Sequence, residues 1–121
     1  MPMKIGDRID KPWGWEEILD LNDYYCIKHM FINGGHRLSK QYHERKTESL
    51  MLVQGGAELT WRVDDGEQVV AMQLAQLFPI PPGMVHRLKA TADQGALILE
   101  VSTREADDIV RVEDDYGRAG T

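Results

Sequence analysis

The chain has 121 residues, 42 % of them hydrophobic and 28 % charged, which fits one folded domain with a real core and excludes wholesale disorder. A net charge of -6 repels a phosphate backbone, so nucleic acid is an unexpected partner. No apolar run approaches the roughly 20 residues that cross a membrane, and residues 1–6 carry no apolar signal core, so the chain is expected to be cytoplasmic with no membrane partner. Cys26 stands alone, which rules out an internal disulfide and a thiolate zinc cluster and leaves it as a packing residue.

In chain order, Pro12-Trp13-Gly14-Trp15 is expected to precede the first strand and to pack as an aromatic lid on one end. Residues 24–32, rich in aromatic and β-branched types, read as that strand, and Gly34-Gly35 as a turn. A short strand over 38–43 follows. The apolar run 48–54, closed by Gly55-Gly56, and the run 57–63 read together as a hairpin pair. Asp64-Asp65-Gly66 turns the chain into a strand over 67–70. Residues 77–80 run into Pro81-Pro82-Gly83, so proline there sits at a strand end or edge. Strands over 85–89 and 96–102 flank a turn at 93–95. Residues 105–110 alone look weakly helical, and the acidic tail from 107 reads as a solvated arm or an edge segment. Short strands with turns every roughly 8–12 residues predict an all-β sandwich or closed barrel.

One set of residues carries chemistry. Gln41 and His43 are two apart, so on a strand they share a face. Glu48 follows a polar bend at Arg45-Lys46-Thr47, where the chain can re-enter the sheet on a neighbouring strand, and His86 lies directly beyond the Pro-Pro-Gly turn. An amide, two imidazoles and a carboxylate form a mixed N/O set that suits zinc, manganese, iron, cobalt or nickel better than calcium or copper(I). Each of the four, taken singly, also fits an ordinary surface or structural role; the joint spacing singles them out.

That spacing, Gly35-x5-Gln41-x-His43-x4-Glu48-x6-Gly55, resembles the first cupin motif with Gln41 in place of its first histidine, and Pro81-x-Gly83-x2-His86 resembles the core of the second. The second motif's ends are not kept, with Ala75 and Ala90 at its Gly and Asn positions. Leu38-Ser39-x-Gln41-x-His43 resembles the metal segment of phosphomannose isomerases, where Gln opens the motif. Lys11-Pro12-Trp13-Gly14 and Asp107-Asp108-Ile109-Val110-Arg111-x-Glu113-Asp114-Asp115-Tyr116-Gly117-Arg118 resemble the entry and the C-terminal signature of type II enzymes. The chain is therefore similar to the C-terminal isomerase domain of bifunctional mannose-1-phosphate guanylyltransferase/mannose-6-phosphate isomerases. The resemblance implies a cupin double-stranded β-helix, a jelly-roll barrel over about residues 15–103 with packed arms in a single domain of 1–121. It implies a divalent ion, zinc first and manganese, cobalt, nickel or iron as alternatives, on Gln41, His43, Glu48 and His86. The chain departs from the family in Tyr42-His43-Glu44-Arg45, where a histidine-rich run is usual, in Ser49-Leu50 after Glu48, and in Lys40.

The implied activity is aldose–ketose isomerisation of mannose 6-phosphate and fructose 6-phosphate. Such a reaction needs a polarised carbonyl, a base within reach and cations for the phosphate. Arg87, Lys28, Lys46 and Arg37 are the candidate cations, and His36 and Glu44 the candidate bases. Strand alternation points Arg87 away from His86 unless the strand is bulged. The alternative is a non-catalytic sugar or sugar-phosphate binding cupin that keeps the metal. The partners expected are a sugar phosphate and a second copy of the chain in a homodimer, which would close an open sheet edge.

Overall fold

The computed structural model describes residues 3–105 and 107–121. Among these are eleven strands and no helix: β1 (Arg8–Lys11), β2 (Gly14–Leu21), β3 (Tyr25–Ile32), β4 (Lys40–Tyr42), β5 (Glu48–Gly55), β6 (Ala57–Val63), β7 (Gly66–Ala71), β8 (Leu77–Ile80), β9 (His86–Ala90), β10 (Ala96–Thr103) and β11 (Val110–Glu113). They form a six-stranded sheet, β1-β2-β3-β10-β5-β8, and a five-stranded sheet, β11-β4-β9-β6-β7, both antiparallel. The architecture is the all-β jelly roll expected.

Alternation decides what faces inward. In β3 the inward set is Cys26, Lys28, Met30 and Ile32; in β10 it is Ala96, Ile98, Glu100 and Ser102; in β5 it is Glu48, Leu50 and Leu52. Antiparallel register then sorts them by polarity. Ile98 lies opposite Met30 and Leu52, whereas Glu100 lies opposite Lys28, and Ser102 opposite Cys26 and Glu48. One end of the barrel is thus filled by Ile32, Leu52, Leu59, Ile98 and their neighbours, and the other end carries buried charge. The apolar end supplies the burial that drives folding. The charged end holds the site.

Four expectations are corrected. Two strands, β1 and β2, precede the first one read from sequence, because buried Glu16 and Ile18 alternate with half-buried Trp15, Glu17 and Leu19 through a stretch whose tryptophans and glycine mask the pattern. Trp13 is a core residue between them, not an end lid, while Trp15 stacks on Phe31 with ring centroids 5.8 Å apart. The runs 48–54 and 57–63 are not a hairpin: β5 pairs with β10 and β8, and β6 with β9 and β7. Finally, no helix forms near 105–110 among the described residues. Val110 opens the edge strand β11, which pairs with β4. Pro79 lies in the edge strand β8, as a proline must.

Gly55-Gly56 is instead the corner where the chain leaves one sheet for the other. Gly55 has φ 89°, and a Cβ there would lie 2.1 Å from the Gly95 carbonyl oxygen, a backbone atom that cannot step aside. Gly55→Ala is expected to cost about 2 kcal/mol or more, from strain and clash together. Urea unfolding of the variant against the parent measures it, and an unchanged midpoint would contradict the account.

Candidate metal centre

Five residues separate the end of β4 from the start of β5, and the bend they make is fixed by one residue of the tail. The Asp108 carboxylate accepts hydrogen bonds from the amides of Glu44, Arg45 and Lys46, at 3.2, 2.7 and 2.9 Å. Its backbone carbonyl accepts from His43 Nδ1 at 2.6 Å. The second motif is tied to the first by the Gly83 amide, which donates to the His43 carbonyl at 2.7 Å. His86, the first residue of β9, donates from Nδ1 to the Met84 carbonyl at 2.9 Å.

These bonds leave both Nε2 atoms facing one oxygen. His43 Nε2 is 2.8 Å and His86 Nε2 3.0 Å from Glu48 Oε1, and all three side chains are buried. One ligand atom from each lies within 4.8 Å of the others. In a neutral imidazole whose Nδ1 carries the proton, Nε2 is a bare lone pair. Two such lone pairs aimed at a carboxylate oxygen repel unless positive charge sits among them. The donor set therefore fits a divalent cation, and His43, Glu48 and His86 can hold one. Gln41 is the Cα partner of His86 across β4 and β9, so the two side chains share a face. Gln41 Oε1 accepts from Ser39 Oγ at 2.7 Å.

Charge continues outward from Glu48 with alternating sign. Lys46 Nζ lies 3.4 Å from Glu48 Oε2 and 3.5 Å from Glu100 Oε2; Lys28 Nζ lies 3.5 Å from Glu100 and 3.4 Å from Glu16; Lys11 Nζ is 3.9 Å from Glu16. Burial raises the Glu48 pKa, but with no cation bound and Nε2 protonated, hydrogen bonds from His43 and His86, then from Glu100, and the charge of Lys46 hold it well below the usual carboxylate range. Glu100 goes the other way: burial, then the neighbouring Glu48 charge, push it up to about 7 against the pull of Lys28 and Lys46. For Lys28 burial opposes the charge, and Glu100 and Glu16 overcome it, so its pKa is raised.

The ladder opens into a cavity of about 310 Å³ that Gln41 and His43 also line, a size at the small end of ligand sites. Of the candidate cations and bases, Lys28 and Lys46 reach this cavity. Arg87 does not: as alternation indicates, it turns from His86, and its Nε and Nη2 donate to the carbonyls of Leu38 and Glu113 at 3.0 and 3.4 Å. Arg37 is engaged by Asp115 at 2.6 Å, His36 is exposed and stacks on Tyr116, and the Glu44 side chain is exposed. Sequence reasoning missed Ser39, Glu100, Glu16 and Asp108. Glu100 had a signal, a lone acid at an inward position of an apolar strand.

Comparison with known proteins follows the same lines. The family model "Mannose-6-phosphate isomerase C-terminal" matches residues 3–114. The chain belongs to that family. It is 34 % identical over 114 residues to the xanthan biosynthesis protein XanB of Xanthomonas campestris, 34 % over 114 residues to the alginate biosynthesis protein AlgA of Pseudomonas putida, and 30 % over 118 residues to the mannose-1-phosphate guanylyltransferase of Escherichia coli. These alignments cover 92, 92 and 95 % of the chain but only 24, 23 and 24 % of those proteins. The chain thus spans about a quarter of the length of the curated relatives it matches. Among solved structures, the capsular polysaccharide assembling protein CapF of Staphylococcus aureus superposes with a TM-score of 0.77 at 16 % identity, over 88 % of this chain and 34 % of that one. Oxalate decarboxylase of Bacillus subtilis gives 0.76 at 16 %, over 88 and 30 %, and KdgF of Halomonas gives 0.70 at 18 %, over 84 and 91 %. The barrel is a cupin barrel. Among the described residues no helix is long and apolar enough to cross a membrane.

Asp108→Ala is expected to destabilise the metal-free protein by about 1–2 kcal/mol, as loss of a helix-cap-like carboxylate does, and to weaken metal binding about tenfold or more through His43. Calorimetric titration with zinc reads the second effect. Burial raises the Asp108 pKa but the three amide hydrogen bonds outweigh it, so the folded value is lowered. Its contribution to stability is therefore present above its unfolded pKa of about 3.9 and lost as pH falls below that. Asp108→Asn should flatten the acid limb of a stability–pH curve; an unaltered limb would remove Asp108 from this role.

Proposed function

We propose that the chain is a metal-dependent aldose–ketose isomerase acting on a sugar phosphate of the mannose 6-phosphate/fructose 6-phosphate type, with zinc as the first candidate ion and manganese, cobalt, nickel or iron as alternatives. The observation that carries the reading is the placement of the His43–Glu48–His86 cluster beside a cavity whose inner wall presents Lys28 and Lys46. Family membership supports it, because the matching family is described by that isomerase.

A divalent ion bound there supplies Lewis acidity toward a carbonyl and its neighbouring hydroxyl. The chain's own residues do the rest. Gln41, held by Ser39, and the two imidazoles, held through Nδ1, fix the donor directions before any ligand arrives. Lys28 and Lys46 place two ammonium groups on the wall, where they stabilise negative charge that develops on an enediol oxygen. Glu100 lies between those lysines and keeps both aimed inward. Leu38 and Met30 close the apolar side of the cavity and reduce water around the reacting carbons.

The proposal extends to a cytoplasmic homodimer. Val53, Leu77 and Val101, 41, 59 and 38 % exposed on the outer face of the six-stranded sheet, support a covered surface there, and light scattering at the mass of two chains is the expected result.

The activity is tested directly. Protein stripped with a chelator and reloaded with zinc, cobalt or manganese should convert mannose 6-phosphate to fructose 6-phosphate, and its melting temperature should rise on reloading. Gln41→Ala with His86→Ala should lower kcat/KM by about 100-fold or more. Turnover that survives the double change, or none with any of the metals, would defeat the reading; tight sugar binding without turnover would select the non-catalytic alternative.

A further inference from the structure

The two family signatures outside the barrel, at either end of the chain, converge on the same cavity. Lys11 comes from the Lys-Pro-Trp-Gly entry and lies at the end of β1; Arg111 and Arg118 come from the C-terminal signature, in and after β11; all three line the cavity that Gln41 and His43 also line. With Lys28 and Lys46 they make five cations, against the carboxylates of Glu16, Glu100 and Asp107, in a protein whose net charge is -6. Positive charge is concentrated here against the trend of the whole molecule.

Arg111 is the centre of this cluster. It is the Cα partner of Gln41 across β11 and β4, and Gln41 is the partner of His86 across β4 and β9. Directly opposed residues of antiparallel strands project on one face, so Arg111, Gln41 and His86 form a row. Strands lie about 5 Å apart, which puts the guanidinium's strand about 10 Å from the histidine's. Arg111 Nε is buried with no hydrogen-bond partner, and its Nη1 has only an outlying contact with Thr121 Oγ1 at 3.5 Å. A buried, unanswered guanidinium donor beside further cations is costly unless an anion completes it. Arg118 is held in place by paired bonds of 2.9 Å to Asp114, which also offsets its charge, and Lys11 has a single distant carboxylate neighbour in Glu16. Arg111 and Lys11 are therefore the open cations. Burial, then repulsion from Arg118, lowers the Arg111 pKa, and burial lowers that of Lys11, where Arg111 and Arg118 add repulsion. Burial is the larger cause for both, and repulsion among the cations adds to it against the pull of Glu16 and, for Arg111, Asp114.

We propose that Arg111 and Lys11, with Arg118 behind them, form a seat for a phosphomonoester dianion at the mouth of the cavity, one short carbon chain away from the metal ligands. Arg111 grips two phosphate oxygens through its planar fork, and Lys11 supplies a point charge from the opposite wall. The seat is built from both chain ends, not from the barrel. It deepens the sugar-phosphate reading by assigning the phosphate end of the substrate, and it rests on that reading only for the identity of the rest of the ligand.

The test is calorimetric titration of the full chain, zinc-loaded, with inorganic phosphate and with mannose 6-phosphate at low ionic strength. The parent should bind both, in competition. Arg111→Gln and Lys11→Gln should each weaken both ligands by about tenfold or more, with zinc content unchanged. Arg62→Gln, an exposed arginine of β6 outside the cavity, should leave both affinities intact. If Arg111→Gln fails to fold, Arg111→Lys, which keeps the charge but not the fork, should still weaken both ligands measurably. Phosphate affinity within about twofold of the parent in the folded double variant, or no phosphate binding by the parent, overturns the seat. A chain that binds phosphate through Arg111 yet forms no fructose 6-phosphate sinks the isomerase reading and leaves the seat standing.

Discussion

The carboxylate of Glu48, 2 % exposed, sets the terms for everything around it. A buried charge of one sign is intolerable without positive charge at contact distance, and the structure answers in two directions. On one side are two imidazoles whose Nδ1 atoms are committed to backbone carbonyls and whose Nε2 atoms can meet Glu48 only through a proton or a bound cation. On the other is Lys46, whose own burial calls for Glu100, which in turn needs Lys28, and so to Glu16 near the surface. Each group is tolerable because of the next. Removing one member of such a ladder strands its neighbours, a loss of about 3–5 kcal/mol in buried pairs generally. The site therefore cannot be rearranged residue by residue.

This ladder also explains the division of the barrel into an apolar and a charged end. Each of β3, β5 and β10 changes character once along its length, from Cys26 and Lys28 to Met30 and Ile32, from Glu48 to Leu50 and Leu52, from Ala96 and Ile98 to Glu100 and Ser102. Antiparallel register brings the changes close together into a boundary across the sheet, with one step where Glu100 lies opposite Leu50. Stability is concentrated below the boundary and chemistry above it, so the apolar end can be tightly packed while the charged end stays open to a ligand.

Much of this was legible in the sequence and some was not, for definite reasons. Turn residues marked most strand ends, so β3 and β7 to β10 fell close to expectation, and His43, Glu48 and His86, which come together in space, each sit beside a turn. Pairing was not legible. The runs 48–54 and 57–63 look like a hairpin because a glycine pair separates them, but the same glycines serve a corner between sheets, and only long-range contacts decide between the two. Orientation was legible for Arg87, where alternation gave the outward face, and left open for Lys28, although its place two residues from Cys26 and Met30 fixes it inward once the strand is known. Asp108 was beyond reach. Its carboxylate serves amides more than 60 positions away in sequence, and no local pattern encodes that.

The tail is what converts a widely used barrel into a particular site. Neighbours at 16–18 % identity share the cupin scaffold, which says nothing of what they act on. In this chain β11 pairs with β4, Asp108 fixes the bend that leads from His43 to Glu48, and Arg87 bonds the carbonyls of Leu38 and Glu113, so that β9, the approach to β4 and the tail are clamped together. Metal ligands and cavity mouth are thereby parts of one hydrogen-bonded unit. A change that loosens the tail disturbs Asp108 and with it the orientation of His43. Were a metal and the proposed phosphate both to bind, any coupling between them would be reciprocal.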